Sequence, residues 1–368
     1  MPNSGQSSRD LVAELSPLVE QLVPEGKLLA VIPLGVDTAE ARRAHKGTGY
    51  GQPLRLEVGV GDERRVLVLH TATANEFGHD RRADRACEML LAFDTVNAIP
   101  RHTRALDVGA YLCSGGFLSL RDAGEFYLVT SWAEGRPYAD DLRRIADVAH
   151  ATARDRARVT TLAGHLAELH AKRRDDAVAH RRAVRDLFGS GEGIFGIVDG
   201  YPPNTPGAPA ERLDRIERLA LDYRPRLRAH TRRLTRVHGD YHPWNLVFDE
   251  HDQLTALDAS RGCLGDPADD VICLAINYLF FGLISPRAAR PAFLHLFRAF
   301  FGEYFGARPD PELLEVAPPY LAWRALVLAS PRWYPDVSEV HRDRLLGFVE
   351  STLRAGRLDL SDAEALLR

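Results

Sequence analysis

Residues 237–270 read VHGDYHPWNLVFDEHDQLTALDASRGCLGDPADD. Two apolar, strand-like runs, 245–248 and 254–257, flank the polar, turn-like Asp249-Glu250-His251-Asp252, and this alternation predicts a hairpin. Asp240 and Asn245 stand just before the first run, and Asp258 ends the second. A hairpin of this length returns Asp258 to the edge that carries Asn245. One acid, one amide and a second acid are thereby expected to converge at one end of two short strands. An amide beside a carboxylate suits a hard divalent cation such as Mg²⁺, which prefers oxygen ligands and keeps several waters. A further, separate carboxylate can orient and deprotonate a hydroxyl.

His238-Gly239-Asp240, with Asn245 five residues after the acid, resembles the H-x-D-x-x-x-x-N catalytic loop of the protein-kinase-like superfamily. The wording HGDYHPWN, the Leu257-Asp258 pair, and Gly265-Asp266-Pro267 followed by Asp270 and an apolar helix resemble the aminoglycoside phosphotransferase and choline kinase-like branch. The resemblance runs over most of residues 45–285. It implies an α+β, bilobal protein-kinase-like fold, with a five-stranded antiparallel sheet plus helix in an N-terminal nucleotide-binding lobe (1–132). A mostly helical C-terminal lobe (133–368) would carry the catalytic loop and the acceptor pocket. It also implies an ATP- and Mg²⁺-dependent small-molecule kinase that passes the γ-phosphoryl group to an acceptor hydroxyl. In that scheme Asp240 is the catalytic residue, His238 supports the loop, and Asn245 and Asp258 hold the metal.

Composition is that of an ordinary soluble globular protein. The chain of 368 residues is 45% hydrophobic and 27% charged, long enough for two or three domains and a sizeable core. A net charge of −4 gives no support to nucleic-acid binding. Lys27, Lys46 and Lys172 are its only lysines among 47 basic residues. Cys87, Cys113, Cys263 and Cys273 form no C-x-x-C pair and are expected as buried free thiols in a reducing cytoplasm. Residues 1–10 are polar, unlike a signal peptide, and the longest apolar stretch, near 271–284, is too short to span a bilayer.

Outward from the hairpin, residues 8–23 show helical spacing of Leu11, Val12, Leu15, Leu18 and Leu22, and a loop is expected to follow. Lys46-Gly47-Thr48-Gly49-Tyr50-Gly51 precedes a period-two run, Leu54, Leu56, Val58 and Val60, then a Gly61-Asp62 turn and a strand at 66–69. A loop carrying Gly47, Gly49 and Gly51 can lay its N–H groups over phosphates, because glycine permits close approach. By the resemblance, the next strand should bear a Lys paired with a helix Glu. His70 stands in its place, and Glu88 is the best acid on a helix at 76–93, with Glu76 second. Either another cation serves the phosphates, His70 with Glu88 or Lys46 at the loop rim, or the chain binds nucleotide without transferring phosphate.

Strands are expected at 105–112 and 126–130, the latter closing the sheet. Residues 131–135, including Ser131 and Ala133, resemble the connector whose backbone meets the adenine edge. From Tyr138 on the pattern is helical, with helices near 285–305, 311–330 and 338–356 and a loop or insertion at 188–209. Arg261 is expected to pair with Asp266 or Asp269, or to meet an anionic group. Tyr320, Trp323, Arg324, Trp333 and Tyr334 group aromatic rings with one cation, read as core packing or as a box for a quaternary ammonium. The sequence leaves the acceptor open among an aminoglycoside, choline, an amino acid and a sugar, and it leaves the oligomeric state open.

Overall fold

A computed structural model describes residues 8–34, 53–259 and 264–368. Its contacts divide the chain into two compact units, Met1–Thr130 and Ser131–Arg368.

In the first unit, helix α1 (Ser8–Leu22) lays Leu11, Leu15 and Val19 on a three-stranded antiparallel sheet of β1 (Lys27–Pro33), β2 (Leu54–Val60) and β3 (Glu63–Leu69), in that order. The expected alternation holds in β2: Leu54, Leu56 and Val58 face the core. The β2–β3 turn uses Gly61 at φ +57°. Strand β1, expected as loop, escapes a period-two reading because a bulge between Leu28 and Ala30 puts Leu28 and Val31, three residues apart, on the same buried face. Helix α2 (Arg82–Val96) follows, and then a separate hairpin of β4 (Gly109–Tyr111) and β5 (Phe117–Ser119).

The five-stranded sheet is therefore replaced, among the described residues, by a three-stranded sheet and a two-stranded ribbon. The segment 126–130, expected as the closing strand, is apolar but carries no strand pairing, and Tyr127 and Leu128 are 89% and 87% exposed. Strand propensity is realised only where a neighbour supplies a ladder and a face to pack on.

The second unit opens with the short β6 (Arg136–Pro137) and α3 (Tyr138–Val148), followed by α4 (Ala153–Leu169), α5 (Ala177–Gly189), α6 (Ile194–Asp199), α7 (Ala210–Leu221) and α8 (Arg224–Ala229). The loop expected at 188–209 thus contains a helix. Val148 is exposed and Ala149 caps α3 in the left-handed region, so the apolar face of α3 ends earlier than its sequence indicates. Then come β7 (Thr235–Arg236), β8 (Leu246–Phe248), β9 (Leu254–Ala256), β10 (Leu264–Gly265), α9 (Ala268–Ile284), α10 (Arg290–Ala307), α11 (Leu313–Ala329), α12 (Glu339–Ala355) and α13 (Leu360–Ala365). The last long helices fall where periodicity places them.

Helix α9 is apolar on every side and packs against α3, α10, α11 and α12, the signature of a central helix. Strands β6, β8 and β9 form one antiparallel sheet. Gly135, at φ +124°, enters it with no room for a side chain: a Cβ would lie 2.3 Å from the Phe248 carbonyl oxygen. Among the described residues no helix is long and apolar enough to cross a membrane. Cys273 is buried, whereas Cys87 and Cys113 are exposed free thiols, contrary to the expectation for those two: Cys87 lies on α2, which buries none of its residues, and Cys113 lies in the β4–β5 turn.

Candidate active site

The hairpin forms in register, Leu246 opposite Ala256 and Phe248 opposite Leu254. Its turn closes through Asp249, whose Oδ1 accepts from the N–H groups of His251 and Gln253. Asp252 sits at φ +59° and is clasped by Arg154 and Arg158 of α4. Arg158 also reaches Asp141 and lies 4.4 Å from the centroid of the Phe248 ring. Beyond the strands the Leu257 N–H donates to the Asn245 carbonyl at 2.8 Å. That bond sets residue 257 opposite residue 245 and makes Asp258 the next residue at the same end. Asp258 is exposed and has φ +50°, a conformation aspartate tolerates better than most residues.

The loop before β8 is a series of local bonds. Gly239 takes φ +84°. The Asp240 carbonyl accepts from the His242 N–H at 2.9 Å and from Asn245 Nδ2 at 3.1 Å. Because Nδ2 is the donor, Asn245 Oδ1 is the atom left to face a cation. Nδ1 of His238 accepts from the Asp240 N–H at 3.2 Å, so the imidazole proton sits on Nε2. Burial pushes the His238 pKa below its usual value, and the ring is neutral at pH 7. His238 thus meets the loop as an uncharged ring.

Beneath the loop lies Asp270, fully buried in the first turn of α9. Its Oδ2 accepts from the His238 N–H at 2.7 Å, and its Oδ1 from the Gly239 N–H at 2.8 Å. His170 Nε2 is 3.1 Å from Oδ2, and His170 Nδ1 is 2.9 Å from the Tyr304 hydroxyl. Burial alone would raise the Asp270 pKa. The bonds from His170 and the two loop amides outweigh it and hold the carboxyl below its ordinary value. The neighbouring Asp266 caps α9 through the Ala268 N–H and is paired with Arg233, which also holds Asp310.

From the other side comes Arg324 of α11, 5% exposed. Its Nη1 donates to Asp240 Oδ1 at 2.9 Å, and its Nη2 donates to the Gly239 carbonyl at 2.7 Å and to Asp269. His242 Nε2 is 3.5 Å from Asp240 Oδ2. Burial opposes the charge on Arg324, but Cys273, Asp269 and Asp240 outweigh it and keep its pKa above the ordinary value.

The second unit therefore brings together Asp240, His238 and Asn245, with Asp258 beside Asn245 along the backbone. In the first unit, Lys46, Gly47, Gly49 and Gly51 lie outside the described residues. His70 is exposed just past β3. Glu88, expected as its partner, instead has its Oε2 3.4 Å from His79 Nε2, because that face of α2 turns toward the segment entering the helix. Ser131 and Ala133 precede Gly135 and β6, irregular in backbone, with Ser131 exposed. Arg261 lies outside the described residues, and its expected partners Asp266 and Asp269 are paired with Arg233 and Arg324.

The aromatic group around residue 324 is no box. Tyr320 and Trp323 are buried, Trp333 is 46% exposed, and Tyr334 packs on Phe280. The cation over the Trp323 ring is Arg324 itself, its guanidinium carbon 3.8 Å from the centroid. The sequence reading has Asp270 only as part of the family wording and Arg324 only as the cation among aromatic rings, and it pairs neither of them, nor His170, with the loop. Asp270 and Arg324 are charged residues on the largely apolar helices α9 and α11, which is a signal the sequence carries; His170, the C-cap of the amphipathic α4, has none. Among the described residues no group of three or more His, Cys, Asp or Glu is placed to hold a metal ion.

Solved structures show distant likenesses. A glucosamine kinase aligns over 94% of this chain and 98% of its own, at 16% identity and a TM-score of 0.41. For an aminoglycoside phosphotransferase from Alicyclobacillus acidocaldarius the values are 88%, 91%, 14% and 0.33. For a choline/ethanolamine kinase family protein from Mesorhizobium loti they are 91%, 96%, 11% and 0.35. No curated protein matches the chain. In sequence, residues 102–312, more than half of the chain, match the Phosphotransferase enzyme family, abbreviated APH. The chain belongs to that family.

Proposed function

We propose that this protein is an ATP-dependent small-molecule kinase that transfers the γ-phosphoryl group to a hydroxyl of a small acceptor. The observation that carries the reading is the fixed Asp240: its carboxylate is engaged by Arg324, its carbonyl by Asn245, and its own N–H by His238. Phosphoryl transfer needs little covalent assistance from protein, so positioning and charge neutralisation supply most of the rate. Asp240 orients the acceptor hydroxyl and takes its proton as the oxygen bonds to phosphorus and the bond to the leaving ADP breaks. Asn245 Oδ1 and the Asp258 carboxylate, hard oxygen donors at one end of the hairpin, suit Mg²⁺ and would hold it. When bound, that ion neutralises phosphate charge.

The first unit, with the loop of Gly47, Gly49 and Gly51 and either His70 or Lys46, takes the nucleotide in this reading, and Ser131 and Ala133 line its adenine edge. The 1–132 segment is the nucleotide-binding lobe and 133–368 the catalytic lobe. The protein works in the cytoplasm on a free small molecule, without nucleic acid or membrane.

The test is an ATP-consumption screen over hydroxylated small molecules, beginning with amino sugars, aminoglycosides, choline and ethanolamine. Asp240→Asn is the control. We expect one acceptor class to drive ATP consumption, and the variant to lose it while binding Mg·ADP within about threefold of the parent. An Asp240→Asn variant as active as the parent defeats the reading.

A further inference from the structure

We propose that Arg324 is a positioning residue for phosphoryl transfer: from a helix outside the catalytic loop, it fixes both the Asp240 carboxylate and the peptide that carries it. The proposal rests on Asp240 being the residue that takes the hydroxyl proton.

Three contacts define the plane of the guanidinium. Nη1 meets Asp240 Oδ1 at 2.9 Å, and Nη2 meets the Gly239 carbonyl at 2.7 Å and also Asp269. The Gly239 contact matters because that residue is the left-handed hinge of the loop, at φ +84°. Holding its carbonyl sets the direction in which Asp240 leaves the backbone. The Trp323 ring covers one face of the guanidinium at 3.8 Å, and Trp323 is itself anchored by its Nε1–H to the Glu192 carbonyl at 2.6 Å. The side chain is thus bonded at its edge and stacked on its face, and it has little rotational freedom left.

Asp270 grips the loop amides of residues 238 and 239 from below, and Arg324 grips the carbonyl of 239 and the side chain of 240. Two charged groups of opposite sign, on two helices, therefore clamp donors and acceptors of one three-residue segment. The Nε of Arg324 is buried without a hydrogen-bond partner among the described residues. An unmade bond of that kind costs stability, and such groups concentrate where function takes precedence over local satisfaction. Lysine could keep the charge, but it lacks the planar fork that reaches an oxygen on the side chain and another on the backbone together.

A purely structural Arg324 would serve only to neutralise Asp269 between α9 and α11. The two roles separate in kinetics. The probe is hydrolysis of Mg·ATP to ADP and phosphate, with water standing in for the acceptor, measured for the full chain as parent, Arg324→Lys, Arg324→Met, Asp240→Asn, and Arg324→Lys with Asp240→Asn. We expect Arg324→Lys, which retains the buried charge and so the fold, to lose about ten- to a hundredfold in kcat while the Kd for Mg·ADP stays within about threefold. We expect Arg324→Met, which loses the fork and the charge together, to be slower than Arg324→Lys, with the Kd for Mg·ADP still within about threefold. The double variant should be no slower than Asp240→Asn alone, since both changes disable one unit.

Arg324→Lys at the parental rate, or an additive double variant, overturns the role of Arg324 and leaves Asp240 standing. Asp240→Asn at the parental rate, or a parent inert toward Mg·ATP, overturns the function reading and this proposal with it. Should Arg324→Met fail to fold, the Arg324→Lys rates still decide.

Discussion

His170 and Asp270, a hundred residues apart in sequence, meet inside the second unit with Nε2 and Oδ2 3.1 Å apart and both side chains fully buried. The same carboxylate holds the N–H groups of His238 and Gly239. Burying a carboxylate is costly unless hydrogen bonds meet its lone pairs, and here the loop of residues 238–240 supplies two of them. The loop is thus part of what makes this buried carboxylate tolerable.

Asp270→Asn would place an amide donor against a backbone donor and strip His170 of its counter-group. At pH 7 we expect a loss of about 3–5 kcal/mol in urea unfolding. The folded pKa of Asp270 lies below its unfolded value of 3.8. Its contribution is therefore present above 3.8 and fades as pH falls through the folded value. Parent and variant should converge in acid, and equal stability at pH 7 would refute the assignment.

Asp258→Ala should remove one of few protein oxygens available to Mg²⁺. We expect the metal-dependent part of ADP binding to weaken by about tenfold or more, with metal-free binding unchanged. Calorimetric Mg²⁺ titration at fixed ADP reads this directly, and an unaltered titration would remove Asp258 from the site.

His70→Ala should raise the Kd for ATP if the imidazole at the end of β3 meets phosphate. An unchanged Kd, measured with a fluorescent ATP analogue, shifts that role to Lys46 or to neither residue.

His165 stacks on Tyr241, with its Nδ1 2.9 Å from the hydroxyl, and burial lowers its pKa below 6.5. The unfolded chain binds a proton there below pH 6.5, whereas the folded chain resists it. Stability therefore falls as pH drops from 6.5 toward the lowered value, and burial gives His238 the same direction. His165→Gln should make the fall in melting temperature between about pH 7 and 5 shallower. Parallel curves for parent and variant would exclude it.

Gly135→Ala would drive a Cβ to 2.3 Å from the Phe248 carbonyl and force an L side chain to φ +124°. We expect a cost of about 1–3 kcal/mol or more to the second unit, read from its melting transition. An unchanged transition would show that the backbone yields there.

The hairpin and the order Asp240, Asn245, Asp258 were legible because they are local. Turn chemistry at 249–252 and apolar runs of strand length decide them within some twenty residues, and the observed strands differ from the reading by one residue at either end. The long helices were legible for the same reason, through periodicity. What was not legible lies in long-range pairing. Nothing near Asp270 in sequence says that His170 completes it, and nothing near Arg324 names Gly239. The sheet of the first unit was misread where pairing overrides propensity: a bulged strand at 27–33 was passed over, and an apolar run at 126–130 was credited with a partner it lacks among the described strands.

Helix α9 carries Asp269 and Asp270 in its first turn and is also the innermost rod of the second unit. Cohesion of that unit and placement of the Asp240 loop consequently share one mechanical element. Random substitution along this rod should yield variants that slacken in melting and turnover together, seldom in one alone.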